Sequence, residues 1–212
     1  MSRSRTDRAV NRVVALVAVA LIAVGIWRVL APEPDSGTLD MAGNPVALEP
    51  GTGPTEDQLK QMDVVEDAGE RFRVPSVDLD VPLGALDVVD NTINPPGFTS
   101  AYQVRNLGVP FEDAATGTVY VVMHSLRAGV GPGNHLIDVK EQASRVEPGA
   151  TITIGDHTWT ATGDLTVTKF DLGAQKDLFD GTPGRLVVIT CQQRSDGKAA
   201  VDNLVITAQL TS

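Results

Sequence analysis

RLVVITCQQR, residues 185–194, passes from an apolar run straight into polar side chains. The apolar part is short and rich in β-branched residues, Val187, Val188, Ile189 and Thr190 among them, so it reads as a core strand that ends at Cys191. GTVYVVMH at 117–124 and NLVITAQL at 203–210 read the same way, and ATITIGDHTWTATGDLTVTKFD at 150–171 reads as a hairpin. Upstream, RFRVPSVDLDVPLGALDVV at 71–89 alternates apolar with polar residues, and Pro75 and Pro82 restrict it to edge or bulged strands. Loops heavy in Gly separate these segments, and short helices are expected at 135–146 and 174–179. Aromatic residues make up only 4% of the chain while Gly and Pro number 20 and 13, which favours a turn-rich β architecture over a helical bundle. The expectation is an all-β domain, a single barrel or sandwich with short helical insertions.

The 212 residues allow one domain with appendages rather than two separate cores. Residues 1–12 form a basic tail with Arg3, Arg5, Arg8 and Arg12, followed by VVALVAVALIAVGIW at 13–27. With Arg28 snorkelling outward, the run 13–31 is about 28 Å long as a helix, enough to cross a bilayer. A cleaved signal peptide is the rival reading; Pro32 directly after Ala31 and the lack of a small-x-small pair favour an uncleaved transmembrane anchor. The arginines place the N-terminus in the cytoplasm and the remainder outside the cell. Residues 32–70, rich at first in Pro, Gly, Asp and Glu, are expected to be a flexible extracytoplasmic linker, with room for a short polar helix at 55–67; the folded domain is expected at 71–212. The acids of the chain, 27 in all, fall almost wholly after residue 31, and an acidic body without a basic, aromatic-lined patch excludes nucleic-acid binding.

Cys191 is the single cysteine, so an internal disulfide is impossible. By itself a lone cysteine is more often a buried small hydrophobe than a nucleophile. Its placement raises its standing, because a strand end fixes the backbone while the following loop leaves one side open. His124 occupies the matching place on another strand, followed by Ser125, Leu126, Arg127 and a Gly-rich loop. A thiolate that attacks a carbonyl and an imidazole that protonates the leaving amine form a workable pair. His135 and His157 read as exposed loop histidines without ligand partners at metal spacing, and Trp159 as a barrel-face residue. Asp78, Asp80, Asp87 and Asp90 read as the wet face of a strand rather than a Ca²⁺ site. No cofactor or metal is expected.

TVYVVMHS around His124, VVITC ending at Cys191, the closing DNLVITAQL and the early RVPSVDLDVPLGAL together resemble the sortases, particularly the actinobacterial class E and F group. The resemblance covers residues 71–212 and implies a closed eight-stranded β-barrel. It implies a membrane-anchored cysteine transpeptidase that recognises an LPxTG-like C-terminal sorting signal on exported proteins. The cysteine attacks the Thr–Gly bond, forms a thioacyl intermediate and passes the acyl group to an amine of a cell-wall precursor. On this sequence Cys191 becomes the nucleophile and His124 the general acid/base, with the backbone of Thr190 placed to help hold the oxyanion.

Two departures stand out. The family carries an arginine near the start of the last strand, where this chain has Val201 preceded by Ala199 and Ala200, so Arg194 becomes the catalytic cation candidate and Lys198 its alternative. Met123 precedes His124 where many relatives have Gly. Two other functions compete with transfer: a non-catalytic envelope-binding β-domain with Cys191 buried, and a hydrolytic cysteine peptidase.

Overall fold

The computed structural model describes residues 39–46, 54–90 and 93–212. The transmembrane segment expected at 13–31 lies outside them. Among the described residues no helix is long and apolar enough to cross a membrane.

Among the described residues, ten strands, one short α-helix and five 3₁₀ segments make up the regular structure. Helix α1 spans Glu56–Met62 and opens on a capping box in which the Thr55 hydroxyl accepts from Gln58 N and the Gln58 side chain accepts from Thr55 N. It stops at Asp63, which takes a left-handed φ of 46°. The strands are β1 (Val65–Val74), β2 (Leu79–Leu86), β3 (Ala101–Val104), β4 (Thr118–Met123), β5 (Ile137–Asp138), β6 (Ala143–Ser144), β7 (Thr151–Ile154), β8 (His157–Thr168), β9 (Arg185–Gln192) and β10 (Asp202–Leu210). Eight of them close a barrel in the order β1-β2-β3-β4-β9-β10-β8-β7, with β7 pairing back onto β1. Within it β2–β3 and β4–β9 are parallel and the other pairs antiparallel.

Two apolar clusters sit on opposite sides of this wall. The barrel interior takes Val119, Val121 and Met123 from β4, Leu186 and Val188 from β9, and Leu204 and Ile206 from β10. The intervening side chains, Tyr120 and Val122, Val187 and Ile189, and Val205, face outward into a second cluster with Met62 of α1, Leu86 and Leu178. Strands buried on both faces favour apolar residues at consecutive positions, which is why 119–123 and 186–189 read as unbroken apolar runs. By contrast β8 alternates buried and exposed residues.

The sequence expectations need three adjustments. β1 begins at Val65, so the barrel takes in the end of the segment assigned to the linker; its first residues are exposed and polar, which hid them. Residues 39–46 also pack onto the body: Met41 N donates to Val130 O at 2.8 Å, and the Asp40 carboxylate accepts from Ala42 N, Asn44 N and Val130 N. The helix expected at 135–146 is instead the β5–β6 hairpin, turned by Asp138, whose carboxylate accepts from Lys140 N and Glu141 N, and by Gln142 at φ 54°. The 174–179 segment holds single 3₁₀ turns at Leu172–Ala174 and Lys176–Leu178. Pro82 is accommodated because the β2–β3 ladder starts one residue later, at Leu83.

Candidate active site

β4 and β9 run side by side in parallel, with Thr118 opposite Arg185 and Met123 opposite Thr190. One further step of the same register brings His124 abreast of Cys191. By alternation both belong with Tyr120, Val122, Val187 and Ile189 on the outer face of the barrel, not with Met123 and Thr190 inside. Across the other ladder Cys191 stands directly opposite Asn203 of β10, and Asn203 in turn opposite Val167 of β8. A row His124, Cys191, Asn203, Val167 thus crosses four strands where the second apolar cluster gives out. Cys191 is partly exposed and carries a free thiol.

His124 is fixed from several sides. Its Nε2 lies 2.7 Å from Pro95 O, and its ring stacks on Phe98 at 4.6 Å between centroids. A carbonyl oxygen only accepts, so Nε2 carries the proton in this contact and Nδ1 is left as the atom that exchanges one. Burial of the ring lowers the pKa of His124; the Pro95 contact opposes that shift and the charge of Lys169 adds to it. The imidazole is therefore neutral at pH 7. Lys169 lies one residue past β8, where its N–H donates to Val201 O, and by alternation it shares the outer face with Val167.

The Gly-rich loop after His124 locks the strand end. Gly133 N donates to His124 O at 2.8 Å, and a Cβ on Gly133 would sit 2.0 Å from Thr190 Oγ1 and 2.9 Å from His124 O, so only glycine fits. Asn134 staples the loop: its Oδ1 accepts from Leu126 N and Gly131 N, and its Nδ2 donates to Leu126 O. Ser125 ties the two reactive strands together, its hydroxyl donating to Cys191 O at 2.6 Å and accepting from Gln193 Nε2 at 3.0 Å. Gln193 Nε2 also donates to Ser125 O, and Gln142 donates to Gln193 O.

Arg194 leaves β9 in the loop toward β10 and is held in a forked pair by Asp196, at 2.9 Å through Nε and 2.5 Å through the terminal nitrogen. That guanidinium drives the Asp196 carboxyl far below the usual carboxylate range. Lys198 lies 3.7 Å from the same carboxylate. Both cations named from the sequence are thus engaged by one acid. Thr190 faces the interior, its hydroxyl against Gly133. His135 Nδ1 lies 3.1 Å from Val77 O, and His157 stacks on Trp159 and meets the edge of Phe111, with Trp159 inside the barrel. Asp80 pairs with Arg71 and Arg73, and Asp87 with Arg105. Among the described residues no three His, Cys, Asp or Glu side chains are placed to hold a metal ion.

Pro95, Phe98, Ser125, Gln193 and Asn203 were not singled out from the sequence. Their parts depend on strand register and loop closure, for which single-residue types give no signal.

No protein-family model matches this sequence, and no curated protein matches it. Solved structures do match. Sortase A from Corynebacterium diphtheriae is 14% identical over 82% of this chain and 75% of that chain, with a TM-score of 0.51. A lid mutant of the same protein is 12% identical over 68% of this chain and 69% of that chain, at a TM-score of 0.50. Sortase A of Listeria monocytogenes is 19% identical over 70% of this chain and 88% of that chain, at a TM-score of 0.47. At these identities the likeness is one of fold: the closed eight-stranded barrel is that of the sortases.

Proposed function

We propose that this chain is a sortase-type cysteine transpeptidase of the class E and F kind, with Cys191 as nucleophile and His124 as general acid/base. The observation that carries the reading is the β4–β9 register, which sets His124 abreast of Cys191 on the outer face of a sortase-like barrel. The substrate is an exported protein with an LPxTG-like sorting signal, and the acceptor is an amine of a cell-wall precursor. The 13–31 segment anchors the chain in the cell membrane with its N-terminus in the cytoplasm and the barrel outside.

The chemistry follows from the two side chains. The Cys191 thiol gives its proton to Nδ1 of His124 as sulfur bonds to the scissile carbonyl carbon, and the carbonyl π electrons move to oxygen. When that oxyanion collapses, the C–N bond breaks and the imidazolium protonates the departing amine, leaving a thioester on Cys191. The acceptor amine then attacks the thioester, gives a proton to His124 and releases the thiol. Arg194, the third residue named from the sequence, must leave Asp196 before it can serve this path.

The test is a fluorogenic LPxTG peptide incubated with the detergent-solubilised full chain, with and without an added amine. Turnover in the parent, abolished in Cys191→Ala and His124→Ala, with the amine incorporated into product, is the expected result. Undiminished turnover in Cys191→Ala refutes the nucleophile, and product without incorporated amine identifies a hydrolase instead.

A further inference from the structure

We infer that Asn203 donates a hydrogen bond to the oxyanion formed on Cys191, doing with a neutral amide what the sequence sought from an arginine; the inference rests on the transpeptidase reading. Asn203 stands opposite Cys191 in the β9–β10 ladder, and directly opposed residues of an antiparallel pair project to the same face. Its neighbours by alternation, Val205 on its own strand and Val167 across β8, belong to the outer cluster, so the amide lies on the side that carries Cys191 and His124. Asn203 is only 8% exposed. Among the described residues its side chain makes no hydrogen bond.

Engaged by no group among the described residues, the amide is free to donate to a ligand. Asn203 flanks the sulfur on the side away from His124, so a carbonyl attacked by Cys191 can turn its leaving nitrogen toward the imidazole and its oxygen toward the amide N–H. Negative charge develops on that oxygen as the C–S bond forms, and a pre-placed donor strengthens its bond as the charge grows. The competing cations are less well placed, since Arg194 and Lys198 both face Asp196. A neutral donor also adds no charge beside an imidazole whose pKa burial and Lys169 already lower.

The experiment compares the full chain with Asn203→Ala and the near-isosteric Asn203→Asp, using two probes of the same sulfur. A Leu-Pro-Ala-Thr peptide ending in an aldehyde forms a hemithioacetal with Cys191, whose oxygen mimics the oxyanion. Iodoacetamide alkylates the thiol with no oxyanion at all. The expected result is an aldehyde affinity reduced about tenfold or more in both variants, with alkylation rates within about twofold of the parent and kcat on the peptide substrate falling about 10²-fold at little-changed KM. Aldehyde affinity within about twofold of the parent in either folded variant overturns the assignment. Equal losses of aldehyde affinity and alkylation rate also overturn it, by reducing Asn203 to a packing residue. A parent that alkylates but binds no aldehyde overturns both this inference and the transpeptidase reading, whereas a parent that binds aldehyde while Asn203→Ala binds it equally well sinks this inference alone.

Discussion

Gly133→Ala is the substitution whose consequence the packing specifies most closely. The added methyl would lie 2.0 Å from Thr190 Oγ1, 2.9 Å from Thr190 Cβ and 2.9 Å from His124 O. The φ of Gly133 lies outside the left-handed region, so the effect is steric rather than conformational. Backbone on one side and a fully packed strand on the other leave little room to yield, and overpacking of this kind costs about 2 kcal/mol. For a folded body of this size that is about 4 to 8 °C in Tm, read by thermal unfolding followed by circular dichroism. Thr190→Ala provides the internal control. Its hydroxyl is buried with no hydrogen-bond partner among the described residues, so its removal alone is cheap, and in the double variant it relieves the shortest clash. The double-mutant cycle is expected to show a coupling of about 1 kcal/mol. Peptide turnover is expected to fall further than stability, because a strand end displaced by about 1 Å costs a reacting pair on the order of 10²-fold. A Gly133→Ala protein within about 1 °C of the parent, or a cycle with no coupling, refutes the packing argument.

Lowering of the His124 pKa links stability to pH: the unfolded chain binds the proton more readily, so stability rises with pH from the lowered folded value up to about 6.5 and is lost as pH falls through that window. Thermal scans from pH 5 to 8 should therefore show His124→Gln losing less Tm than the parent on acidification; parallel curves would exclude the effect. Asp40→Ala removes the acceptor of Val130 N, Ala42 N and Asn44 N. Hydrogen exchange at Val130 should accelerate at least about tenfold while the β9 amides keep their protection, and unchanged exchange at Val130 would mean that the 39–46 segment does not hold the loop.

The strands that matter most were the most legible. Val119–Met123 and Leu186–Ile189 are apolar at consecutive positions because both faces are covered, and that density is readable without a structure. β1 was only half legible, since its first residues face solvent and carry no alternation. The 135–146 segment misled for a local reason: Asp138 captures two backbone N–H groups and Gln142 adopts a left-handed φ, both of which defeat a helix. Cys191 and His124 were visible as strand ends, but their adjacency depends on a parallel pairing between segments far apart in the chain. Asn203 was less visible still. The family pattern points to Val201, whereas the β10 residue paired with Cys191 lies two positions on, a distinction that only register makes.

The division of labour around Cys191 follows from the same wall of strands. Burial on both faces gives β4 and β9 the rigidity to hold an imidazole and a thiol in register, and the tie from Ser125 to Cys191 O makes that register explicit at the open end. Beyond the tie the chain turns polar and Gly-rich. Phe98 and Pro95 close over His124 from the β2–β3 connection, and their burial of the ring keeps it neutral at pH 7. On the proposed mechanism a neutral imidazole takes the thiol proton during attack rather than beforehand, so negative charge develops on the substrate oxygen as the C–S bond forms. That oxygen calls for a donor, and in the inference drawn above it is Asn203, paired opposite Cys191 in the β9–β10 ladder, that supplies it.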